Sequence, residues 1–296
     1  MKPESEKFLS EIQNKDAEVR YAAWSHSGER DPEVIPHLGK LLVAEDPGVR
    51  KASDESLKRI VHGVGKQPAG AKRAAVVKEL IGLTGDGEAG WTRTIALRHL
   101  SLIGGDETVP AAAKLLSNVE LQEEAIFCLE RIPGSASTQA IMGALPKATD
   151  AFKPRLLAAL GHRRAEEAVD VCAGAMESPN LEIVLAALKS TSRIGKKPSV
   201  AMKPPKYESL TGWQKVEYTD SALRYADDQV RRGNMPDAIR YYADFLNRPE
   251  EHLQCAAIIG LSKTGTPEAA ALIQGKLKSS NNTVRITARK AWAAFL

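Results

Sequence analysis

The chain has 296 residues, 43% of them hydrophobic but only 5% aromatic, with a formal net charge of +4. Alanine and leucine must therefore carry the apolar load, which suits closely packed helices better than a β-sandwich. That charge is too small for a general nucleic-acid binder, and no apolar run approaches the roughly 18 residues of a membrane helix.

The opening Met1-Lys2-Pro3-Glu4-Ser5-Glu6-Lys7 lacks the apolar core of a signal peptide. The expectation is a cytoplasmic protein from the sequence as given, or a periplasmic or secreted one if a leader has been removed. Next comes a phrase that recurs. Val19-Arg20-Tyr21-Ala22-Ala23 returns as Val49-Arg50-Lys51-Ala52-Ser53 and again as Val284-Arg285-Ile286-Thr287-Ala288. A phrase that returns at roughly 30-residue spacing is the mark of stacked helical hairpins, none of which can bury its apolar face alone. Asp16, Asp46 and Asn281 each stand three residues before the Val-Arg pair, where a short side-chain oxygen can cap the next helix.

First helices of the hairpins align too. Residues 32–42, 107–116 and 267–277 share apolar positions at i, i+3, i+4 and i+7, with prolines (Pro36, Pro110, Pro267) in the first turn. Second helices align on Leu57, Leu100, Leu129, Leu160, Leu188, Leu261 and finally Trp292. A small residue precedes most of these anchors: Ser56, Cys128, Ala159, Ala187, Gly260 and Ala291, with His99 the exception. Close helix–helix approach requires this.

Two anchor gaps exceed one period. Between Val61 and Trp91 the sequence predicts loops at 62–70 and 85–90 around a helix at 71–83, a lengthened hairpin connection without a phosphate-loop motif. The second gap begins at Lys189. Lys189, Arg193, Lys196, Lys197, Lys203 and Lys206 occur there with no acid, and Pro198, Pro204 and Pro205 deny helix. Residues 207–232 return to helical composition. Lys189 to Met235 carries ten Lys/Arg against five Asp/Glu.

Chemistry is harder to find. His26, His37, His62, His99, His162 and His252 form no HExxH and none is followed by Glu. Cys128, Cys172 and Cys255 are far apart and lie among apolar helical residues, so they read as small buried hydrophobes. Arg20, Arg50, Arg93, Arg155 and Arg285 sit near the starts of second helices. They fit a structural ladder with Asp16, Asp46, Asp150 and Asn281 better than a phosphate-tracking stripe. Trp24 and Trp292 fall in core phase, whereas Trp91 and Trp213 follow glycine at helix starts and can be exposed.

Asp31-Pro32-Glu33-Val34-Ile35-Pro36-His37-Leu38 running on to Glu45-Asp46-Pro47-Gly48-Val49-Arg50-Lys51-Ala52 resembles the short HEAT-like repeat of the PBS-lyase (E-Z) type. The resemblance covers most of the chain, about eight hairpins, and implies an all-α, right-handed α-solenoid. Ser221 to Leu246, closing near Pro249, resembles one tetratricopeptide repeat and reads as a helix pair spliced into the stack. The expected organisation is one continuous solenoid: HEAT-like repeats over 1–188, a basic Pro-containing insert plus helix over 189–235, and HEAT-like repeats over 236–296. Known relatives of that repeat type include bilin lyase subunits, base-excision glycosylases, a di-iron hydroxylase and many scaffolds, so fold does not fix function.

The reading that follows is a non-enzymatic scaffold or adaptor without cofactor, catalytic residue or metal site. It binds another protein along the concave face or through the insert. Candidate contact residues are Lys196, Lys197, Lys203, Lys206, Trp213, Arg231 and Arg232. Candidate basic residues of the concave face are Arg93, Arg98, Arg155 and Arg163. The alternatives are a glycosylase-like nucleic-acid binder and a bilin lyase-like chaperone subunit.

Overall fold

The computed structural model describes residues 1–295. It is 73% helix, with seventeen α-helices and no strand among the described residues. The helical periodicity of the sequence, read as mainly α-helix without sheet, is thus met. The chain divides into two compact units, residues 1–148 and 149–296.

The first unit holds α1 (Pro3–Ile12), α2 (Ala17–Ser25), α3 (Ile35–Leu41), α4 (Pro47–Gly65), α5 (Ala71–Gly82), α6 (Gly90–Ile103), α7 (Val109–Lys114), α8 (Gln122–Arg131) and α9 (Ser135–Ala144). Two rows are built from them. Helix α4 packs on both α2 and α6, and α6 packs on α8. These second helices of successive hairpins form one row. In the other row α3 packs on α5 and α7 on α9, while α3, α5 and α7 lean on α4, α6 and α8.

Local chemistry starts and stops these helices. Asp16 accepts the Glu18 N–H, and Asp46 accepts those of Gly48 and Val49. Pro36 and Pro110 sit in first turns, where no donor is lost. Leu57, Leu100 and Leu129 are fully buried, each contributing about 1.5–3 kcal/mol by leaving water.

The long connection between Val61 and Trp91 differs from expectation. Helix α4 does not stop at His62 but runs to Gly65, and α5 packs on α3, α4 and α6 as an ordinary first helix. The extra length is therefore helix, with residues 66–70 and 83–89 left as loops, the second close to the expected 85–90. Gly63 permits this, because a Cβ there would come within 2.6 Å of the Gly28 carbonyl oxygen.

The second unit holds α10 (Lys153–His162), α11 (Val169–Gly174), α12 (Leu181–Ile194), α13 (Gly212–Arg231), α14 (Met235–Phe245), α15 (Glu251–Ser262), α16 (Pro267–Gln274) and α17 (Asn282–Trp292). Its second-helix row runs α10, α12, α13, α15, α17, each helix touching the next. Leu160, Leu188 and Leu261 are again fully buried. Gly161 lets α10 approach α12, since a Cβ there would lie 2.8 Å from the Ser190 Cα.

The prolines do not end α12 at Lys189, as composition suggested. The helix continues to Ile194 and stops where Gly195 takes the left-handed conformation, φ +73°. Residues 196–206 are then non-helical. They reach from α11 to α14, where the pattern of the rows would place the first helix of the α13 hairpin. A capping box of Thr211 and Gln214 starts α13.

Candidate interaction surface

The arginine series has a uniform geometry. Arg20, Arg50, Arg93 and Arg285 are each the fourth residue of their helix. The Arg20 Nη1 donates to the carbonyls of Asn14 and Lys15 at 2.5 and 2.9 Å. Arg50 Nη1 does the same to Ala44 and Glu45 at 2.7 and 2.9 Å, and Arg285 Nη1 to Ser279 at 2.7 Å. Arg93 Nε donates to Thr84 O across its longer linker, with a second bond to Asp86. A cation in the first turn opposes the helix dipole, so its recurrence needs compensation. The linker carbonyls, which no helix satisfies, supply it. The ladder is therefore built on main-chain oxygens. Asp16, Asp46 and Asn281 cap the helices instead, Asn281 through the Val284 N–H, while Asp150 pairs with Lys153 at 2.8 Å.

The named basic residues separate in the structure. Arg93 is buried and engaged in its linker. Arg98 is exposed, five residues further round α6, and holds Glu124 of α8 in a two-pronged pair at 3.1 and 2.5 Å. That pairing raises the Arg98 guanidinium further above its ordinary range. Arg155 and Arg163 are half-buried, and both have partners within the structure.

The basic segment turns out to be matched by acids of its own unit. Lys197 pairs with Asp237 of α14 at 2.7 Å, and Lys203 with Glu177 at 2.6 Å. Arg232 pairs with Glu166 at 2.8 Å, Lys189 with Glu217 at 2.8 Å, and Arg231 with Asp228. The hydrogen bond from Arg232 holds the Glu166 carboxyl below its usual range, and that from Lys203 does so for Glu177. Lys196 and Lys206 are exposed, with no ion pair among the described residues. Apart from Asp228, three residues before Arg231, the partners lie 26 to 66 residues away, which is why sequence reasoning missed the matching.

Most of the exposed large apolar side chains stand on the second helices of each unit, with Val43, Val119, Val171 and Val200 outside them. On the second helices of the first unit, Tyr21, Trp91, Leu102 and Phe127 are 40–60% exposed. Trp91, Arg98 and Leu102 are spaced at one helical face of α6, and the Arg98 guanidinium lies over the Trp91 ring at 5.9 Å. The Arg131 guanidinium lies over Phe127 at 5.3 Å, and Arg59 of α4 lies over Trp24 at 4.8 Å. In the second unit, Trp213 (61% exposed), Val216, Ile259 and Ile286 stand on α13, α15 and α17. The sequence pointed to Trp91 and Trp213. Leu102, Val216, Ile259 and Ile286 were missed because an isolated aliphatic residue carries no sign of exposure.

Reactive chemistry is sparse. Burial pushes the thiols of Cys128 and Cys172 up to about 12. Burial likewise pushes His99 down to about 4, with the Asp54 carboxylate partly opposing the shift. Among the described residues, no three His, Cys, Asp or Glu side chains are grouped to hold a metal ion. No described helix is long and apolar enough to cross a membrane.

No protein-family model matches the chain, and no curated protein does. Among solved structures, the crystal structure of an engineered protein is similar across 99% of this chain and 89% of that one. The identity is 18% and the TM-score 0.44.

Proposed function

We propose that the chain is a HEAT-like repeat protein of α-solenoid type, a non-enzymatic scaffold that binds another protein through its second-helix row. The observation that carries this is the concentration of exposed tryptophan, phenylalanine, tyrosine and aliphatic side chains on that row. Arginine stacked on aromatic rings is the composition of protein–protein hot spots, where a few such residues supply most of the affinity. The first-helix row carries fewer such groups, Val171 among them.

The test is affinity capture with the full chain, then reconstitution with the recovered partner. Trp91→Ser and Phe127→Ser are expected to weaken that partner's binding by at least about tenfold each, with folding intact. Binding that survives both substitutions and Trp213→Ser refutes the surface. Tight association with duplex DNA that falls steeply with salt refutes the protein-partner reading.

A further inference from the structure

The non-helical strap at 195–206 has an unusual attachment. Between Lys196 and Pro205 no residue makes a main-chain hydrogen bond to another main-chain group. Side chains hold it instead, and the tightest point is Ser199. Its N–H donates to Asp170 Oδ1 at 2.6 Å and its hydroxyl to Asp170 Oδ2 at 2.7 Å. Lys197 and Lys203 pair with Asp237 and Glu177 on either side, and Tyr241 of α14 donates to the Met202 sulfur at 3.4 Å. Ser199 itself is exposed, as are its neighbours Lys196, Lys197, Val200 and Ala201. Pro198 is buried beneath the strap, and the buried Gln229 amide donates to the Gly195 carbonyl at 2.8 Å where it begins, but a segment without main-chain hydrogen bonds of its own opens locally at lower cost than the helices it crosses.

We propose that Ser199 is a phosphorylation site, and that its modification releases the strap from α11. Three features converge there. The hydroxyl is exposed in a segment without helix, the form in which a chain can enter a kinase cleft. Lys196 and Lys197 precede it by three and two residues, a cationic run that suits an acidic substrate groove. The hydroxyl is also bonded to a carboxylate, so the two states differ sharply in energy. In the transfer the Ser199 Oγ bonds to the γ-phosphorus of ATP. The bond from that phosphorus to the β–γ bridging oxygen breaks, ADP leaves, and the hydroxyl proton passes to a base of the kinase. The product carries nearly two negative charges against Asp170, and it has lost the donor that Asp170 accepted. Repulsion replaces two hydrogen bonds, and the strap shifts from ordered to disordered. The other serines around it do not share this setting: Ser190 and Ser192 are buried and bonded to main-chain carbonyls of α12.

The experiment incubates the full chain with magnesium-ATP and a kinase selective for basic sequences. Phosphate is mapped by mass spectrometry, and hydrogen exchange of peptides spanning 195–206 is followed. The expected result is modification at Ser199, lost in Ser199→Ala, with exchange of the strap amides accelerated by at least about tenfold. Asp170→Asn is expected to speed the same amides without any phosphate, and circular dichroism verifies that both variants keep their helices. Absence of phosphate at Ser199, or phosphate there with unchanged exchange, overturns the proposal.

Discussion

The ring of Tyr242 on α14 occupies the place that a Cβ on Gly260 of α15 would take. Its hydroxyl then donates to Asp227 of α13 at 2.8 Å, so one side chain fixes three helices. Gly260→Ala must displace the ring and is expected to destabilise the protein by about 1–3 kcal/mol, as overpacking does. Urea unfolding measures it. Tyr242→Leu in the same chain should recover part of the loss, because the obstructing ring is gone.

The arginine clamps predict a pattern that an ion-pair ladder would not. Arg50→Ala leaves two linker carbonyls without their donor and is expected to cost about 1–3 kcal/mol. Asp46→Asn keeps the cap and should change stability by less than about 0.5 kcal/mol, whereas Asp46→Ala costs about 1 kcal/mol. Equal sensitivity to Arg50→Ala and Asp46→Asn would point to a charge pair instead.

His99 gives the protein an acid sensitivity of known sign. Its side chain is 6% exposed, and burial holds it at about 4 against an ordinary value of 6.5. The unfolded chain therefore takes up a proton that the folded chain refuses. Stability from this residue is complete above pH 6.5 and is lost progressively as pH falls towards 4. The total loss is about 3 kcal/mol, since each pKa unit is worth about 1.4 kcal/mol. Denaturant titrations at pH 7, 5.5 and 4.5 measure it, and His99→Gln should flatten that part of the profile.

Replacing Lys197 and Lys203 with serine is expected to leave the melting temperature nearly unchanged, because both ammonium groups are largely solvated, although Asp237 is mostly covered. The same change should speed hydrogen exchange in residues 195–206 and nowhere else. A fall of several degrees would show that the strap supports the core.

Much of this architecture was legible in the sequence. The spacing of Leu57, Leu100, Leu129, Leu160, Leu188 and Leu261 identified buried positions correctly, since burial at a helical period leaves a periodic trace. Asp16, Asp46 and Asn281 were recognisable as caps because capping is a contact within a few residues. The prolines at 198, 204 and 205 marked a non-helical stretch but not its start, which Gly195 sets. The long gap after Val61 read as loop because Gly63 and Gly65 weaken helix propensity, and only the close passage of Gly28 explains their place in α4.

The candidate surface divides the same way. Local chemistry named the arginines, the lysines and two exposed tryptophans. Only the tertiary structure decided what each was for. Lys197 meets Asp237 and Arg232 meets Glu166 through packing of helices distant in sequence, so a cationic stretch became a strap. Arg93 and Arg98, five residues apart, point one into a linker and the other onto Trp91. The sequence by itself determined where helices form, how they begin and which positions are buried, because those follow from short-range sterics and periodicity. Which charges neutralise one another, and which apolar side chains stay in water, depends on neighbours supplied by other repeats, and that was left to the fold.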